Sequence, residues 1–361
     1  MENLIILKGD RYQIPLLLGL FGRDELVYES EFDESVYSRE PLQIYSCSKL
    51  NSKIYIYKDI HDFIKTPVEK FNNFDKKIVV LDSLSNSIVN NKIKLITNCK
   101  SIFIWHFGEL FESSDIQKVY DLNLDYVLSG SKRPELENYD RFELDLLLPF
   151  RFFRYYIGYY YLEDLVNSIE LPKYDTNKPK LFSYVRYRNS SNWRNEILKS
   201  IDGLETLLTP KNSANDSYDL VYPKYKHFEA INDYIYCNFN LIFETIDYRN
   251  SLEFFITEKT FKGLFFGKPF LLAAPVSMLN FLRDRGFHIT NFEFVDKIEN
   301  PNDVLQSIKL FTDWLKSATE TEIENRYNEL LEKSKKNKDV LMNYLNNYEH
   351  NFDIFKKLLE I

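Results

Sequence analysis

Apolar residues along this chain gather in short runs divided by polar loops and by segments with helical spacing. Residues 3–7 (NLIIL), 52–57 (SKIYIY), 77–81 (KIVVL), 101–105 (SIFIW) and 124–128 (LDYVL) read as strands. Residues 14–21 and 60–71 between them read as helices, with Gly22 near the end of the first. Residues 23–50 are acidic and polar with little periodicity. This alternation predicts a parallel sheet with helices on both faces. Residues 146–161 (LLLPFRFFRYYIGYYY) are aromatic on nearly every side. They are expected to pack between two lobes, with Arg151 and Arg154 at the edge. Residues 172–179 (PKYDTNKP), polar and flanked by prolines, are the best linker.

A second α/β series begins at Lys180. Residues 181–185 read as a strand, 186–192 as a polar loop, and 193–201 as a helix with Arg194 on its first turn. Residues 230–236 and 278–285 read as helices, 292–294 as a short strand, and the chain from Val304 onward as helical. The centre of this half is residues 239–270. There the apolar run 239–243 is followed by a polar loop, then Thr257-Glu258-Lys259 at the head of an apolar-periodic segment. Gly267-Lys268-Pro269 ends that helix, and 270–274 makes the next strand. This is a βαβ unit with Thr257 as N-cap. The loop at the carboxyl end of its first strand is the usual ligand position.

Composition narrows the class. The 361 residues suffice for two ordinary domains, and 44% hydrophobic with 28% charged residues is globular. The formal charge of −8 weighs against a broad nucleic-acid-binding face. Cys47, Cys99 and Cys237 are far apart and form no metal-ligand spacing, as expected of thiols in a reducing cytoplasm. The apolar run 14–21 is too short to span a bilayer, which takes about 20 residues, and it lacks signal-peptide features. A cytoplasmic protein is the expectation.

Three places carry suitable chemistry. The first is Trp105-His106-Phe107-Gly108-Glu109, at the end of a strand, where Glu109 or His106 could serve as general base. Arg194, at a helix start, is suited to a diphosphate. Glu244 with Glu258-Lys259 could hold a ribose hydroxyl and a phosphate at a helix N-terminus. The plain alternatives are a loop residue facing water at the first place, which spacing alone favours there, a surface arginine at the second and an ordinary capped surface helix at the third. No glycine-rich dinucleotide fingerprint, P-loop, H-E-x-x-H or G-x-S-x-G motif is present, and Glu143-Leu144-Asp145 is the nearest approach to an Asp-x-Asp metal motif.

Taken together, these places resemble the inverting α1,3/4-fucosyltransferases. That family carries Phe-Glu-Asn at a strand end, then Tyr-x-Thr-Glu-Lys and a Gly/Pro-containing helix end. Here the corresponding residues are Phe243-Glu244-Thr245, Phe255-Ile256-Thr257-Glu258-Lys259 and Gly267-Lys268-Pro269. Asn192-Trp193-Arg194 resembles the family's donor-binding arginine segment. Gly108-Glu109-Leu110, Asp125-Tyr126 and Asp140-Arg141-Phe142 running on to Leu148-Pro149-Phe150 resemble its upstream landmarks. The landmarks keep their order over residues 101–300.

The resemblance implies two Rossmann-like domains facing across a cleft (the GT-B arrangement), with C-terminal helices. The expected division is an acceptor-side domain 1–172, a nucleotide-sugar domain 180–330 and helices 331–361. It implies Glu109 as catalytic base, with His106 as the rival. Donor binding falls to Arg194, Glu244, Thr257, Glu258 and Lys259. The co-substrate would be a nucleotide sugar, GDP-linked by the resemblance, and the acceptor a glycan or another hydroxyl. No cofactor is required, and a divalent metal such as Mn2+ is not indicated. Phe255 stands where the family has tyrosine, Thr245 and Leu110 where it has asparagine, so fucose and guanine are less firmly implied than glycosyl transfer. A DNA-modifying glycosyltransferase acting on a hydroxylated base, disfavoured by the net charge, and a non-catalytic nucleotide or sugar-binding module are the alternatives.

Overall fold

The computed structural model describes residues 2–8, 13–29, 42–57, 60–81, 87–105, 117, 119, 121–122, 124–133, 140–156, 171, 173–178, 180–184, 192–204, 206–208, 237–250 and 252–360. By packing, the chain divides into two units, Met1–Tyr156 with Leu345–Ile361, and Ile157–Tyr344. This division falls elsewhere than the one expected from the linker-like residues 172–179.

The first unit contains β1 (Asn3–Lys8), α1 (Gln13–Phe21), β2 (Leu26–Tyr28), β3 (Leu42–Cys47), β4 (Ser52–Tyr57) and α2 (Ile60–Lys65). These are followed by β5 (Lys77–Leu81), α3 (Ser87–Leu95), β6 (Cys99–Trp105), β7 (Tyr126–Ser129), β8 (Ser131–Lys132), β9 (Phe142–Leu144) and α4 (Leu148–Tyr156). Its eight-stranded sheet has the order β2-β3-β4-β1-β5-β6-β7-β9. From β4 to β9 the strands run parallel, while β3 is antiparallel to both β2 and β4. Leu4 and Ile6 of β1 pack with Phe63, Val89 and Ile93 on one face. Ile5 and Leu7 point the other way and are just as buried. A central parallel strand covered on both sides is apolar throughout for this reason.

Several expectations change here. The helix predicted over 60–71 stops at Lys65, and a separate 3₁₀ turn, Val68–Phe71, begins after Pro67. Proline lacks an N–H and keeps the preceding residue out of helical geometry. The aperiodic stretch 23–50 supplies β2 and β3, an antiparallel margin. Arg151 and Arg154 are not at an edge; they are 3% and 6% exposed.

These arginines draw the C-terminal segment into the first unit. Arg151 pairs with Asp145 and donates to the Asn347 carbonyl at 3.2 Å. Arg154 donates to the Leu345 carbonyl at 3.4 Å and to Asn346 Oδ1 at 3.0 Å. The last helix, Glu349–Glu360, sets Phe352 and Phe355 against Phe21, with ring centroids 5.6 and 4.8 Å away.

The second unit contains β10 (Leu181–Tyr184), α5 (Asn192–Ser200), β11 (Thr206–Leu208), β12 (Phe239–Phe243), β13 (Phe254–Phe255), α6 (Glu258–Phe266), β14 (Phe270–Ala273) and α7 (Val276–Asp284). Helices α8 (Pro301–Ser317) and α9 (Glu320–Leu345) follow; the last helix is α10. The sheet order is β11-β10-β12-β14, all parallel. Winding therefore starts at β10, goes one way to β11, then reverses to β12 and β14. In such a sheet the crevice at the carboxyl ends of the two strands flanking the reversal is the natural ligand position.

The expected strand 292–294 is instead a 3₁₀ turn, Thr290–Glu293. Asn291, fully buried, accepts from Leu272 N at 2.8 Å and donates to Ser307 Oγ at 2.8 Å. That side chain fixes the turn against β14 and α8. The helix expected over 230–236 lies outside the described residues.

Candidate functional site at the reversal of the second sheet

All five residues of β12 are buried, and Glu244 follows at its carboxyl end. The helix beginning at Glu258 is capped as expected. Thr257 has φ −110° and ψ 175°, and its hydroxyl accepts from Lys259 N at 3.3 Å. At the other end Gly267, with φ +63°, takes the left-handed conformation that closes a helix. Between them Gly263 lets the helix sit directly on the sheet. A Cβ there would lie 2.6 Å from Ile242 Cδ1 and 3.2 Å from the Phe270 ring.

Glu244 is only 1% exposed, so its carboxylate must be satisfied from within. Thr257 Oγ1 donates to it at 2.6 Å, and Thr260 Oγ1 donates as well. Two backbone N–H groups add to these, Thr245 at 3.2 Å and Thr257 at 3.4 Å. Because the Thr257 hydroxyl gives its proton to Glu244, its lone pairs are left for Lys259. Both the backbone N–H of Lys259 and its Nζ, at 3.4 Å, point to that oxygen.

Lys259 Nζ also reaches Thr245 Oγ1 at 3.4 Å and Glu258 Oε1 at 3.2 Å, with both charged side chains about a quarter exposed (23% and 25%). Arg194, on the first turn of α5, donates from Nη2 to the Glu244 carbonyl at 3.1 Å. Its guanidinium lies 5.1 Å from the Trp193 ring centroid. Trp193 in turn packs on Phe243 and Tyr248, both at 5.9 Å. Tyr248 donates to Glu196 at 3.1 Å; burial, with the Glu196 charge beside it, pushes its phenol up to about 12.

The structure thus brings Arg194, Glu244, Thr257, Glu258 and Lys259 to one place, at the reversal between β10 and β12. Two cations and the positive end of a helix meet there, an arrangement suited to an anionic oxygen cluster. Glu244 is engaged in holding the loop and the helix start together. Phe255 is 5% exposed, within the short strand that leads to the helix. His106 and Glu109 lie outside the described residues. Asp145 of the Glu143-Leu144-Asp145 triplet is the buried partner of Arg151. Among the described residues no group of three His, Cys, Asp or Glu is placed to hold a metal ion. No helix among them is long and apolar enough to cross a membrane.

Sequence reasoning missed Thr260 and Thr245. Thr260 sits three residues after the N-cap, so it returns to the same helix face as Thr257. A buried acid preceding the helix by a loop was the signal that the Thr260 hydroxyl would be needed, whereas Thr245 gives Glu244 its backbone N–H and offers its hydroxyl to Lys259 Nζ.

No protein-family model matches the chain, and no curated protein matches it by sequence. By structure it is similar to a crystal structure of an α1,3-fucosyltransferase, with 12% identity and a TM-score of 0.51 over 100% of this chain and 91% of that one. A crystal structure of α1,3-fucosyltransferase with GDP gives 0.49 at 12% identity, and one with GDP-fucose gives 0.44 at 11%. The first likeness is one of fold, and the latter two carry no weight here.

Proposed function

We propose that the chain is an inverting glycosyltransferase of GT-B architecture that uses a nucleotide-diphosphate sugar, with a GDP-linked sugar as the first candidate. The observation that carries this reading is the convergence of Arg194, Lys259 and the capped start of α6 at the reversal of the second sheet. The likeness of fold to an α1,3-fucosyltransferase and the order of the sequence landmarks support it.

In this reaction the acceptor hydroxyl attacks the anomeric carbon as the bond from that carbon to the diphosphate oxygen breaks. Glu109 takes the hydroxyl proton, and the departing diphosphate carries the electron pair. Arg194, Lys259 and the N–H groups at the start of α6 stabilise that charge. Glu258, now beside Lys259, accepts from ribose or sugar hydroxyls once the diphosphate engages the lysine. Glu244 holds Thr257 and Thr260 so that the helix start keeps its place.

The test is a thermal-shift series with GDP, UDP, CDP, ADP and dTDP, each with and without manganese. A nucleotide at a hundred times its dissociation constant stabilises the protein by about 2.7 kcal/mol. One nucleotide standing out identifies the donor class. No shift with any of them removes the site from nucleotide binding and overturns the proposal.

A further inference from the structure

A cavity of about 1210 Å³ opens at the amino ends of β1, β5, β6 and β7 in the first unit. This is the opposite end of the sheet from the carboxyl end of β6 at Trp105. Five lysines line it (Lys76, Lys77, Lys94, Lys100 and Lys356) against three acids, Asp75, Asp125 and Glu360. On a chain with net charge −8, a concave surface with excess positive charge is a local exception. Asp125 is already engaged: it accepts from Ser101 N at 2.8 Å and Ser101 Oγ at 3.0 Å, and lies 3.5 Å from Lys100.

Lys77 gives the cavity its chemistry. It is 2% exposed, donates to the Thr97 carbonyl at 3.0 Å, and makes no ion pair among the described residues. A buried ammonium has three donors and a large desolvation cost. One carbonyl beyond the end of α3 offsets only part of that cost. An anion entering the cavity would offset more. The uncharged lining is mixed: Ile93, Ile96, Leu122, Leu124, Leu358 and Leu359 supply an apolar part beside the polar Asn3, Thr97, Asn98 and Ser101 and the Cys99 thiol.

We infer that this cavity binds an anionic amphiphile, a phosphate monoester whose head meets Lys77 and the neighbouring lysines while its apolar body lies on the isoleucines and leucines. A soluble alkyl phosphate and a lipid phosphate headgroup share this chemistry. The inference does not rest on the donor site, whose residues belong to the other unit.

Calorimetric titration of the full chain with hexyl phosphate, inorganic phosphate and hexanol tests it. Hexyl phosphate binds saturably, and the two fragments bind at least roughly tenfold more weakly. Lys77→Met keeps the stem and removes the charge; it weakens hexyl phosphate roughly tenfold or more. Lys94→Glu, at the exposed rim, weakens it without touching the core, so the test survives if the first variant folds poorly. Lys259→Ala leaves hexyl phosphate binding unchanged.

Co-sedimentation with phosphatidylcholine vesicles doped with phosphatidic acid then separates the sources. Lysine-dependent vesicle binding assigns a lipid, and its absence beside hexyl phosphate binding assigns a soluble ester. Several outcomes overturn the inference: no hexyl phosphate binding, inorganic phosphate binding equally well, binding indifferent to both lysine variants, or binding lost in Lys259→Ala alone. None of these bears on nucleotide binding, which the thermal-shift series reads separately.

Discussion

Asp145 in the first unit and Glu244 in the second are carboxylates with 5% and 1% exposure. Asp145 takes the N–H groups of Leu147 and Leu148, both at 3.1 Å, and meets the Arg151 guanidinium, so its charge is cancelled by a buried cation. Glu244 takes two hydroxyls and two backbone N–H groups and makes no ion pair among the described residues. The first arrangement is a clasp, because the same arginine also holds the Asn347 carbonyl. The second satisfies an acid without consuming a cation, and Arg194 and Lys259 stand beside it. One buried acid is neutralised by an arginine; the other is satisfied by threonines and backbone N–H groups, which leaves the two cations beside it outside the hydrogen bonds to its carboxylate.

The largest expected effect is on the clasp. Arg151→Leu leaves Asp145 buried and unpaired, costing about 3–5 kcal/mol in urea unfolding. A loss below about 1 kcal/mol would mean that the pair behaves as a solvated one. Glu244→Gln keeps the shape but turns one acceptor into a donor, which costs about 1–3 kcal/mol. Arg194→Ala, by contrast, leaves stability nearly unchanged and weakens the donor nucleotide roughly tenfold to a hundredfold. Equal donor affinity in Arg194→Ala and the parent protein would remove that arginine from the site. Thr257→Ala removes the cap and costs about 1 kcal/mol, read by the same unfolding assay.

Lys268 extends the comparison to a cation. It is fully buried, donates to the Cys237 carbonyl, and burial pulls its pKa down to about 7. Between that value and the ordinary 10.5 the unfolded chain holds a proton that the folded chain has released. Stability therefore rises with pH across this window, and the cost of burial is largest below it. Lys268→Met should melt higher than the parent below pH 7 and lose that advantage towards pH 10.5. An advantage independent of pH would show that Lys268 stays charged in the folded state.

The sequence by itself determined the features that depend on neighbours along the chain. Apolar runs marked β1, β5, β6 and β12; Thr257 and Gly267 marked both ends of α6, because capping and periodicity act within a few residues. Pro67 was visible too, though its power to split a helix was not read from it. Tertiary structure decided which charges meet. Arg194 reaches the Glu244 carbonyl across 50 residues because β10 and β12 are parallel neighbours. Arg151 finds Asn347 across 196 because the last helix returns to the first unit. An arginine read as an edge residue proved buried, since its desolvation is met only by groups that the fold brings in from far along the chain.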